Sequence, residues 1–237
     1  MNFEKALEDI RQGKVILVYD FDDREGETDI TVASQFVTYE IIKSMRKNAG
    51  GLVCTTTPFD RARDLGLPYM ADVYYDDSNR FPLLKAMAPN DIPYDNTKSS
   101  FGVTINHRKT YTGITDRDRA LTISRYAEVI FQDKPDSEII KDIGEEFRSP
   151  GHVHLLNATE HILTKRKGHT ELCTAMMYMA GVKPSATICE MMGDDGRSMT
   201  KKGVMKFAEE NDISFVTGEQ VISKWEDFKK KTRRTSE

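Results

Sequence analysis

Cysteine is scarce in this sequence, and the three cysteines present, Cys54, Cys173 and Cys189, lie far apart. An odd number of widely spaced cysteines argues against a disulfide framework and is typical of a reducing compartment. The first residues also lack the layout of a signal peptide. We therefore expect a cytoplasmic protein.

Long apolar runs and an excess of basic residues are both missing. No stretch approaches the roughly 20 apolar residues that a membrane-spanning helix requires. The 38 acidic residues outnumber the 34 lysines and arginines, so the formal net charge is −4 and we expect no membrane or nucleic-acid partner. The one basic cluster, from about residue 229, is expected to be a short solvated C-terminal tail. Without repeats or low-complexity segments, the 237 residues suffice for one large domain or two small ones.

Alternating apolar patterns predict a mixture of helices and strands. Helices are predicted at 3–12, 39–48, 57–66, 115–130, 170–181, 200–210 and 218–229, and strands at 15–19, 30–36, 52–55, 99–107, 153–156, 186–191 and 213–216. Thr57, Thr115 and Thr170 are the expected N-caps. The elements do not follow the regular period of a doubly wound sheet. The predicted fold class is therefore α/β of the α+β type, a mixed sheet flanked by helices.

Residues 68–98 are the least regular part of the sequence, with four prolines and several Asn and Asp residues. A segment this long without regular structure is uncommon in a compact domain. We expect it to serve function or to contact another subunit.

The most informative segment is 20–29, which places six carboxylates and one arginine in ten residues directly after an apolar strand. Like charges at this density repel unless a cation neutralises them. A solvated acidic turn is one interpretation. The embedded Arg24 and the Gly26 turn favour a built site, because a guanidinium suits phosphate and carboxylates suit a divalent cation. Such a combination fits work on a sugar phosphate.

Four histidines, His152, His154, His161 and His169, occur within 18 residues. His152 and His154 could share one face of a strand as a zinc site, but no third ligand has a matching spacing. His169 is the stronger candidate because it follows Arg166, Lys167 and Gly168 at a helix N-terminus, with Thr170 next to it. Free N–H groups and the helix dipole favour an anion there, although an ordinary capped helix would have the same pattern.

Glu190 and Cys54 are the remaining candidates. Glu190 interrupts the apolar strand 186–191, so its carboxylate lies either on a solvated face or in an apolar setting suited to proton transfer. Cys54 lies in another predicted buried strand, where cysteine is more often a core residue than a nucleophile.

Five motifs in this order resemble the 3,4-dihydroxy-2-butanone 4-phosphate synthase family: Asp23–Asp29, Tyr111–Arg119, Arg148–His152, Gly168–Glu171, and Ile188–Glu190 followed by Asp194–Gly196. The resemblance runs from about residue 3 to residue 223. The sequence at 90–94 and the length resemble the archaeal single-function form, since no cyclohydrolase module follows. The resemblance implies one synthase domain over residues 1–237, a three-layer sandwich around a mixed twisted sheet, and a homodimer with active sites at the subunit boundary.

The reaction implied is a carbon–carbon lyase step of riboflavin biosynthesis. D-ribulose 5-phosphate is converted to L-3,4-dihydroxy-2-butanone 4-phosphate and formate by enolisation, dehydration, skeletal rearrangement and loss of carbon 4. The implied cofactor is Mg²⁺ or Mn²⁺, two ions per site. Glu25 and His169 would be the metal ligands, and His152, Glu190 and Cys54 the catalytic candidates. The implied substrate-binding residues are Arg24, Glu25, Glu27, Asp29, Thr112, Thr115, Arg166, Lys167, Gly168, His169, Thr170 and Glu190.

Two alternatives remain open on the sequence. A different metal-dependent enzyme that enolises sugar phosphates, such as an isomerase or aldolase, would use the same residue types but would release no formate. A non-catalytic module with an acidic loop would need basic surface strips, and the basic residues here are dispersed or at the C-terminus.

Overall fold

Seven strands form one mixed sheet in the computed structural model of this chain, which describes residues 3–87 and 92–235. The strands are β1 Ile16–Tyr19, β2 Thr28–Ala33, β3 Cys54–Thr57, β4 Phe101–His107, β5 Phe147–Asn157, β6 Ala186–Glu190 and β7 Ser214–Thr217, in the order β4-β5-β3-β6-β2-β1-β7. β1 pairs with β7 and β3 with β5 in parallel, and the other neighbours are antiparallel. The mixed sheet predicted from the sequence is confirmed.

Helices cover both faces of the sheet. They are α1 Phe3–Arg11, α2 Tyr39–Ser44, α3 Phe59–Asp64, α4 Met70–Asp76, α5 Pro82–Met87, α6 Asp116–Val129, α7 Asp136–Glu146, α8 His169–Ala180, α9 Lys201–Glu210 and α10 Gly218–Thr235. One core joins the sheet to residues of α2, α6, α7 and α9, and the other joins it to α1, α8 and α10. These two cores make the predicted three-layer sandwich.

The uniformly apolar β1 follows from this layering. Leu17 and Tyr19 belong to one core, whereas Ile16 and Val18 belong to the other. Successive strand side chains point to opposite faces, so a strand with a core on each side needs an apolar residue at every position. Asp20 directly follows this fully buried strand and is itself buried.

Two of the three predicted N-caps are wrong. Thr57 is the last residue of β3, where it pairs with Asn157, and α3 is capped by Pro58 instead. Thr170 lies inside the first turn of α8, whose N-cap is Gly168. In both cases a tertiary contact, not the helix end, fixes the threonine: Thr57 pairs within the sheet, and Thr170 is buried in the first turn of α8. Thr115 is confirmed as the cap of α6, since it accepts a hydrogen bond from the Asp118 N–H at 3.1 Å.

Several predicted bounds shift. The extended run 30–36 is β2 followed by a single 3-10 turn at Ser34–Phe36, and the strand predicted at 153–156 is the longer β5. The predicted strand at 52–55 begins and ends later, as β3. Helix α7 was not predicted. The basic cluster predicted to be a tail from about residue 229 is helical to Thr235 and continues α10.

The segment predicted to be irregular, 68–98, contains two short helices, α4 and α5, and one 3-10 turn at Asp77–Asn79. Residues 92–98 have no helix or strand. Two residues of the motif at 90–94, Asn90 and Asp91, lie outside the described residues. Among the helices that are described, none combines the length and apolar character needed to cross a bilayer.

Candidate active site

Most of the site residues predicted from the sequence line one cavity of about 290 Å³: Arg24, Glu25, Glu27, Asp29, Cys54, Arg166, His169, Thr170 and Glu190. Its wall is completed by Ile92, Tyr94, Ser99, Ser100, Phe101, Leu156 and Ile188. A larger cavity of about 880 Å³ near α1, α9 and β7 holds four lysines but none of the predicted residues. The smaller cavity is therefore the candidate active site.

A buried carboxylate shapes the acidic loop. Asp20 is fully buried, and its two oxygens accept hydrogen bonds from the N–H groups of Glu25 at 3.0 Å and Glu27 at 2.9 Å. Between these two residues, Gly26 takes a φ of 66°, in the left-handed region that suits glycine. The chain thus turns around Asp20 and points the side chains of Glu25 and Glu27 into the cavity.

Three groups meet where the loop faces α8. His169 Nδ1 lies 3.1 Å from Glu25 Oε2, and His169 Nε2 lies 3.8 Å from Asp29 Oδ1. Asp29 Oδ1 and His169 Nε2 are buried and have no hydrogen-bond partner. One ligand atom each from Asp20, Glu25 and His169 lie within 4.8 Å of one another. Oxygen and imidazole donors with unsatisfied buried atoms fit a divalent cation, so the predicted metal residues Glu25 and His169 do lie together.

The charges of this group reinforce one another. Burial works against a charged imidazole, but Asp29 and Glu25 outweigh it and raise the pKa of His169 to about 10. Burial also works against a charged Glu25, but His169 and Arg24 lower the pKa of that carboxyl to about 2. For Asp29, burial dominates and raises its pKa well above the usual value despite His169. The pocket therefore holds an anionic Glu25 beside a protonated His169, and a metal ion that binds to His169 would displace its proton.

Two guanidinium groups converge on the start of α8. A Cβ placed on Gly168 would lie 2.5 Å from Arg166 Nη1 and 2.7 Å from Arg24 Nη2. Arg166 is held from behind by Glu171, which is fully buried and accepts its hydrogen bond at 2.5 Å. Since the first N–H groups of a helix lack intrahelical partners, the two arginines and the helix end make an anion subsite next to the metal-ligand group.

Glu190 and Cys54 lie on neighbouring strands of the cavity floor. Glu190 faces Asp29 across the β2–β6 pair, and its Oε2 accepts a hydrogen bond from the Leu52 N–H at 2.7 Å. Gly51 allows this approach, because a Cβ there would come 2.3 Å from the same oxygen. Cys54 is buried, and desolvation, with the nearby Glu190 and Asp29, raises the pKa of its thiol well above the usual value. Its position suits a neutral thiol that lines the pocket.

Five predicted residues do not line the cavity. Gly168 is the N-cap of α8 beside it, and three of the other four form a second group. His152 is exposed, and its Nδ1 lies 3.1 Å from Asn106 Nδ2, which also donates to the Thr112 carbonyl at 3.4 Å. Thr112 and Thr115 are exposed and both contact Asp118. Lys167 is exposed and does not line the cavity.

Residues 4–224 match the sequence profile of the 3,4-dihydroxy-2-butanone 4-phosphate synthase family. The chain belongs to this family. A 3,4-dihydroxy-2-butanone 4-phosphate synthase from Methanothermobacter thermautotrophicus is 44% identical over 227 residues, which cover 95% of this chain and 96% of that protein. Another from Archaeoglobus fulgidus is 42% identical over 231 residues, with 97% and 96% covered.

The fold agrees with this membership. A crystal structure of a 3,4-dihydroxy-2-butanone 4-phosphate synthase in complex with two magnesium ions matches with a TM-score of 0.74 at 24% identity, over 96% of this chain and 97% of that one. The family predicted from the sequence is confirmed, and with it the assignment to a lyase of riboflavin biosynthesis.

The other two histidines of the group between residues 152 and 169 have separate settings. His154 is half-buried, stacks edge-on against Phe101 at 5.8 Å, and has its pKa lowered by burial and by the nearby His152. His161 is exposed. Within the described residues, neither belongs to a cluster of three metal-ligating side chains. The zinc alternative for His152 and His154 therefore lacks a third ligand.

Five contributors to the site were missed from the sequence: Asp20, Tyr94, Asp95, Asn106 and Glu171. Asp20 and Glu171 lie within or beside the synthase motifs, and the available signal was a carboxylate four or five positions from an arginine of the same motif region. Tyr94 and Asp95 lie in the irregular segment, whose composition does not indicate which cavity it covers. Asn106 lies within a predicted strand, and only its contacts reveal that it joins Thr112 to His152.

Proposed function

We propose that this chain converts D-ribulose 5-phosphate to L-3,4-dihydroxy-2-butanone 4-phosphate and formate. The observation that carries the proposal is the meeting of a carboxylate–imidazole pair and a two-arginine anion subsite in one cavity of about 290 Å³. A sugar phosphate needs both, one for its hydroxyl and carbonyl oxygens and one for its phosphate. An isomerase or aldolase would need the same two parts, so the product decides between them.

Glu25 and His169 would hold the metal, Mg²⁺ or Mn²⁺ and two ions per site, with Asp29 close to His169. When bound, a divalent cation polarises substrate oxygens and stabilises negative charge that develops on them. Two protein ligands are few for such an ion, which leaves coordination positions for substrate and water. The magnesium complex of a structural neighbour supports this choice of metal.

Arg24, Arg166 and the N-terminus of α8 would bind the phosphate, with Thr170 as a further donor. Glu27, whose carboxylate accepts a hydrogen bond from the Ser198 hydroxyl at 2.7 Å, would bind sugar hydroxyls on the acidic side. Glu190 pairs with Asp29 across neighbouring strands and is held by the Leu52 N–H, and it would carry protons to and from the sugar carbons. Cys54 would contact the substrate through its neutral thiol.

Formate release is the test of this proposal. Purified protein is incubated with ribulose 5-phosphate and Mg²⁺, and formate is assayed with formate dehydrogenase. Stoichiometric formate that disappears with EDTA is expected. Conversion of the substrate without formate would contradict the lyase reaction for this chain, and so would the absence of any conversion by folded protein with Mg²⁺ present.

The phosphate subsite yields a prediction at Gly168. Gly168→Ala would push a methyl group between Arg24 and Arg166, whose guanidinium groups lie within 3 Å of the added carbon. Losing one charge-assisted hydrogen bond costs about 1.5–3 kcal/mol, or about 10–100-fold in affinity. We expect KM for ribulose 5-phosphate to rise by about that factor in a steady-state assay, with little change in the thermal midpoint.

Gly144→Ala is the matched control for this variant. Gly144 lies within α7 with nothing within 4 Å of an added Cβ, so its KM should equal that of the wild type. A wild-type KM in Gly168→Ala as well as in Gly144→Ala would show that the phosphate of the substrate binds away from Arg24 and Arg166.

We further propose a homodimer in which His152, with Thr112 and Thr115, completes the active site of the partner subunit. The exposure of His152 and its place outside the cavity support this arrangement. So do exposed apolar side chains of α4 and α5, including Tyr75, Leu83 and Met87. Lys167, also exposed, would contact the substrate only from the rim.

Complementation between two inactive variants tests the shared site. Glu25→Gln and His152→Ala are each expected to be inactive alone. Unfolded and refolded together, they should form heterodimers in which one of the two sites has both wild-type residues, restoring about a quarter of wild-type formate release for a two-fold dimer. Restored activity below a tenth of that, with dimers present by light scattering, would show that His152 serves its own chain.

We propose that the enzyme acts in the cytoplasm. All three cysteines are free and buried, which fits a reducing compartment. Fractionation of cells that express a tagged chain, with formate release as the readout, would test this; activity confined to another fraction would contradict it.

A further inference from the structure

The segment 92–100 covers the cavity without forming a helix or strand. Ile92, Tyr94, Ser99 and Ser100 contribute to the cavity wall. One residue of this segment, Asp95, reaches the anion subsite. Residues 92–98 pair with no strand, so side-chain contacts position them: Asp95 with the subsite, and Lys98 with Asp72 outside it.

Asp95 bridges the two arginines through one oxygen. Its Oδ2 accepts a hydrogen bond from Arg24 Nη2 at 3.1 Å and lies 3.5 Å from Arg166 Nε. The second distance is within ion-pair reach but outside hydrogen-bond geometry, and Arg166 Nε is buried without a hydrogen-bond partner. A single carboxylate oxygen therefore satisfies one arginine and leaves a donor of the other unused.

The other oxygen of Asp95 is not free to fill that gap. Oδ1 accepts hydrogen bonds from the Thr97 N–H at 2.9 Å and from the Thr97 hydroxyl at 2.7 Å. These contacts fix the carboxylate so that only Oδ2 faces the arginines. Tyr94 adds a second contact, because the Arg24 guanidinium lies 5.2 Å from the centre of its ring.

The contact of Asp95 with the two arginines joins charged groups that are almost fully buried. The side chains of Arg24 and Arg166 are each 8% exposed and that of Asp95 is 10% exposed. Arg24 also pairs with Asp20 and Glu25, and Arg166 with Glu171, whereas Asp95 contacts both arginines. Two like charges that lie close together in a buried site repel, so a carboxylate placed between them stabilises the subsite when no phosphate is bound. A phosphate has three oxygens and up to two charges, so it can satisfy Arg166 Nε as well as Arg24.

We propose that Asp95 is a resident anion of the phosphate subsite, which the phosphate group of the substrate displaces when it binds. Asp95 thereby sets the affinity of the site for phosphate and discriminates against weaker anions, which cannot displace it. It is a positioning and specificity residue, not a catalytic one. The inference rests on the proposed function for the identity of the substrate, but inorganic phosphate suffices to test the displacement.

Asp95→Asn removes the charge and keeps an oxygen to accept from Thr97. Calorimetric titration of the full-length protein with inorganic phosphate should show a Kd lower than that of wild type by about fivefold or more, since displacement no longer opposes binding. Sulfate, a second tetrahedral anion, should gain affinity as well. Asp95→Glu restores the charge and should return the Kd towards the wild-type value.

Asp72→Asn is the control. Asp72 pairs with Lys98 in the same region but does not line the cavity, so its loss removes one negative charge without entering the subsite. Its phosphate Kd should equal that of the wild type. A similar gain in Asp72→Asn would reduce the effect to general charge and overturn the proposal.

In steady-state assays, Asp95→Asn should lower KM for ribulose 5-phosphate without raising kcat. Unchanged or weaker phosphate binding in this variant would overturn the proposal, since a merely structural Asp95 would loosen the arginines. If wild-type protein released no formate while Asp95→Asn still bound phosphate more tightly, the proposed function would fail and the displacement would stand.

Discussion

Replacing Glu25 with glutamine is expected to abolish metal-dependent formate release while the protein stays folded. The glutamine has the same shape and can still contact His169 and Arg24, which lie 3.1 and 2.8 Å from the carboxylate. It loses the negative charge that a hard divalent cation requires. Because the pKa of Glu25 is about 2, the wild-type carboxylate is charged at any working pH and the variant is not.

The measurement combines activity with metal binding. Formate release is followed across a Mg²⁺ titration, Mg²⁺ affinity is measured by calorimetry, and thermal unfolding reports the fold. Asp23→Asn is the matched control, since Asp23 is an exposed carboxylate of the same loop and its loss should leave both activity and affinity near wild type. Near-normal turnover of Glu25→Gln at limiting Mg²⁺ would show that the metal is held elsewhere.

The elements that the sequence predicted well are those with a strong local signal. β1 lies in an apolar run that ends at Asp20. α8 includes the apolar Leu172, Ala175, Met176 and Met179 and is buried at every position except Tyr178, with Gly181 at φ 72° after its last residue. Helix α7 was missed because its buried side consists of Ile139 with Ile143 beside it, whereas Ile140 is exposed and most of the other positions are charged. A two-residue apolar stripe is a weak helical signal.

The helix-cap errors have a common cause. Thr57 and Thr170 are both good N-caps by composition, but each is claimed by tertiary structure. Thr57 continues the ladder with β5 and its hydroxyl lies 2.8 Å from that of Tyr126, whereas Thr170 is buried at the active site. Local propensity decides such positions only where no sheet or core competes.

The sequence indicated which types of residue form the site, but not which of them lie together in the fold. The acidic loop and the basic lead into α8 each carry a local chemical signature, yet Glu25 and His169 are 144 positions apart. Their meeting depends on the strand order, which sets β2 beside β6 and packs α8 against β1, β2 and β3. Nothing in the periodicity of the sequence specifies that order, and the family resemblance supplied the pairing instead.

The same limit explains the missed partners of the arginines. Arg24 was chosen for its phosphate-binding fork, but its neighbours Asp20 and Asp95 lie 4 and 71 positions away. Arg166 is held by Glu171, one helical turn into α8. Arg166 and Glu171 are five positions apart, which is not the spacing of helical neighbours, and a glutamate at a helix start is already common for other reasons. Asp20 has a four-residue spacing to Arg24, but the two residues lie in a loop, where that spacing predicts no contact.

Replacing Glu190 with glutamine is expected to separate binding from chemistry. Glu190 Oε2 accepts the Leu52 N–H at 2.7 Å, and a glutamine oxygen can accept the same bond, so the side chain should keep its place opposite Asp29. The amide cannot take up or release a proton. Substrate and metal should therefore still bind, while formate release falls by roughly 10²-fold or more, the usual contribution of a general acid–base group.

Calorimetry with ribulose 5-phosphate and Mg²⁺, set beside single-turnover formate release, measures the two effects in one variant. Glu209→Gln, at an exposed position of α9, controls for the loss of a glutamate charge and should match the wild type in both. Lost binding, with unchanged turnover of the complex that still forms, would make Glu190 a binding residue. A small loss of turnover with intact binding would assign the proton transfers to another group, either His152 or one of two other carboxylates that line the cavity, Glu27 and Asp29.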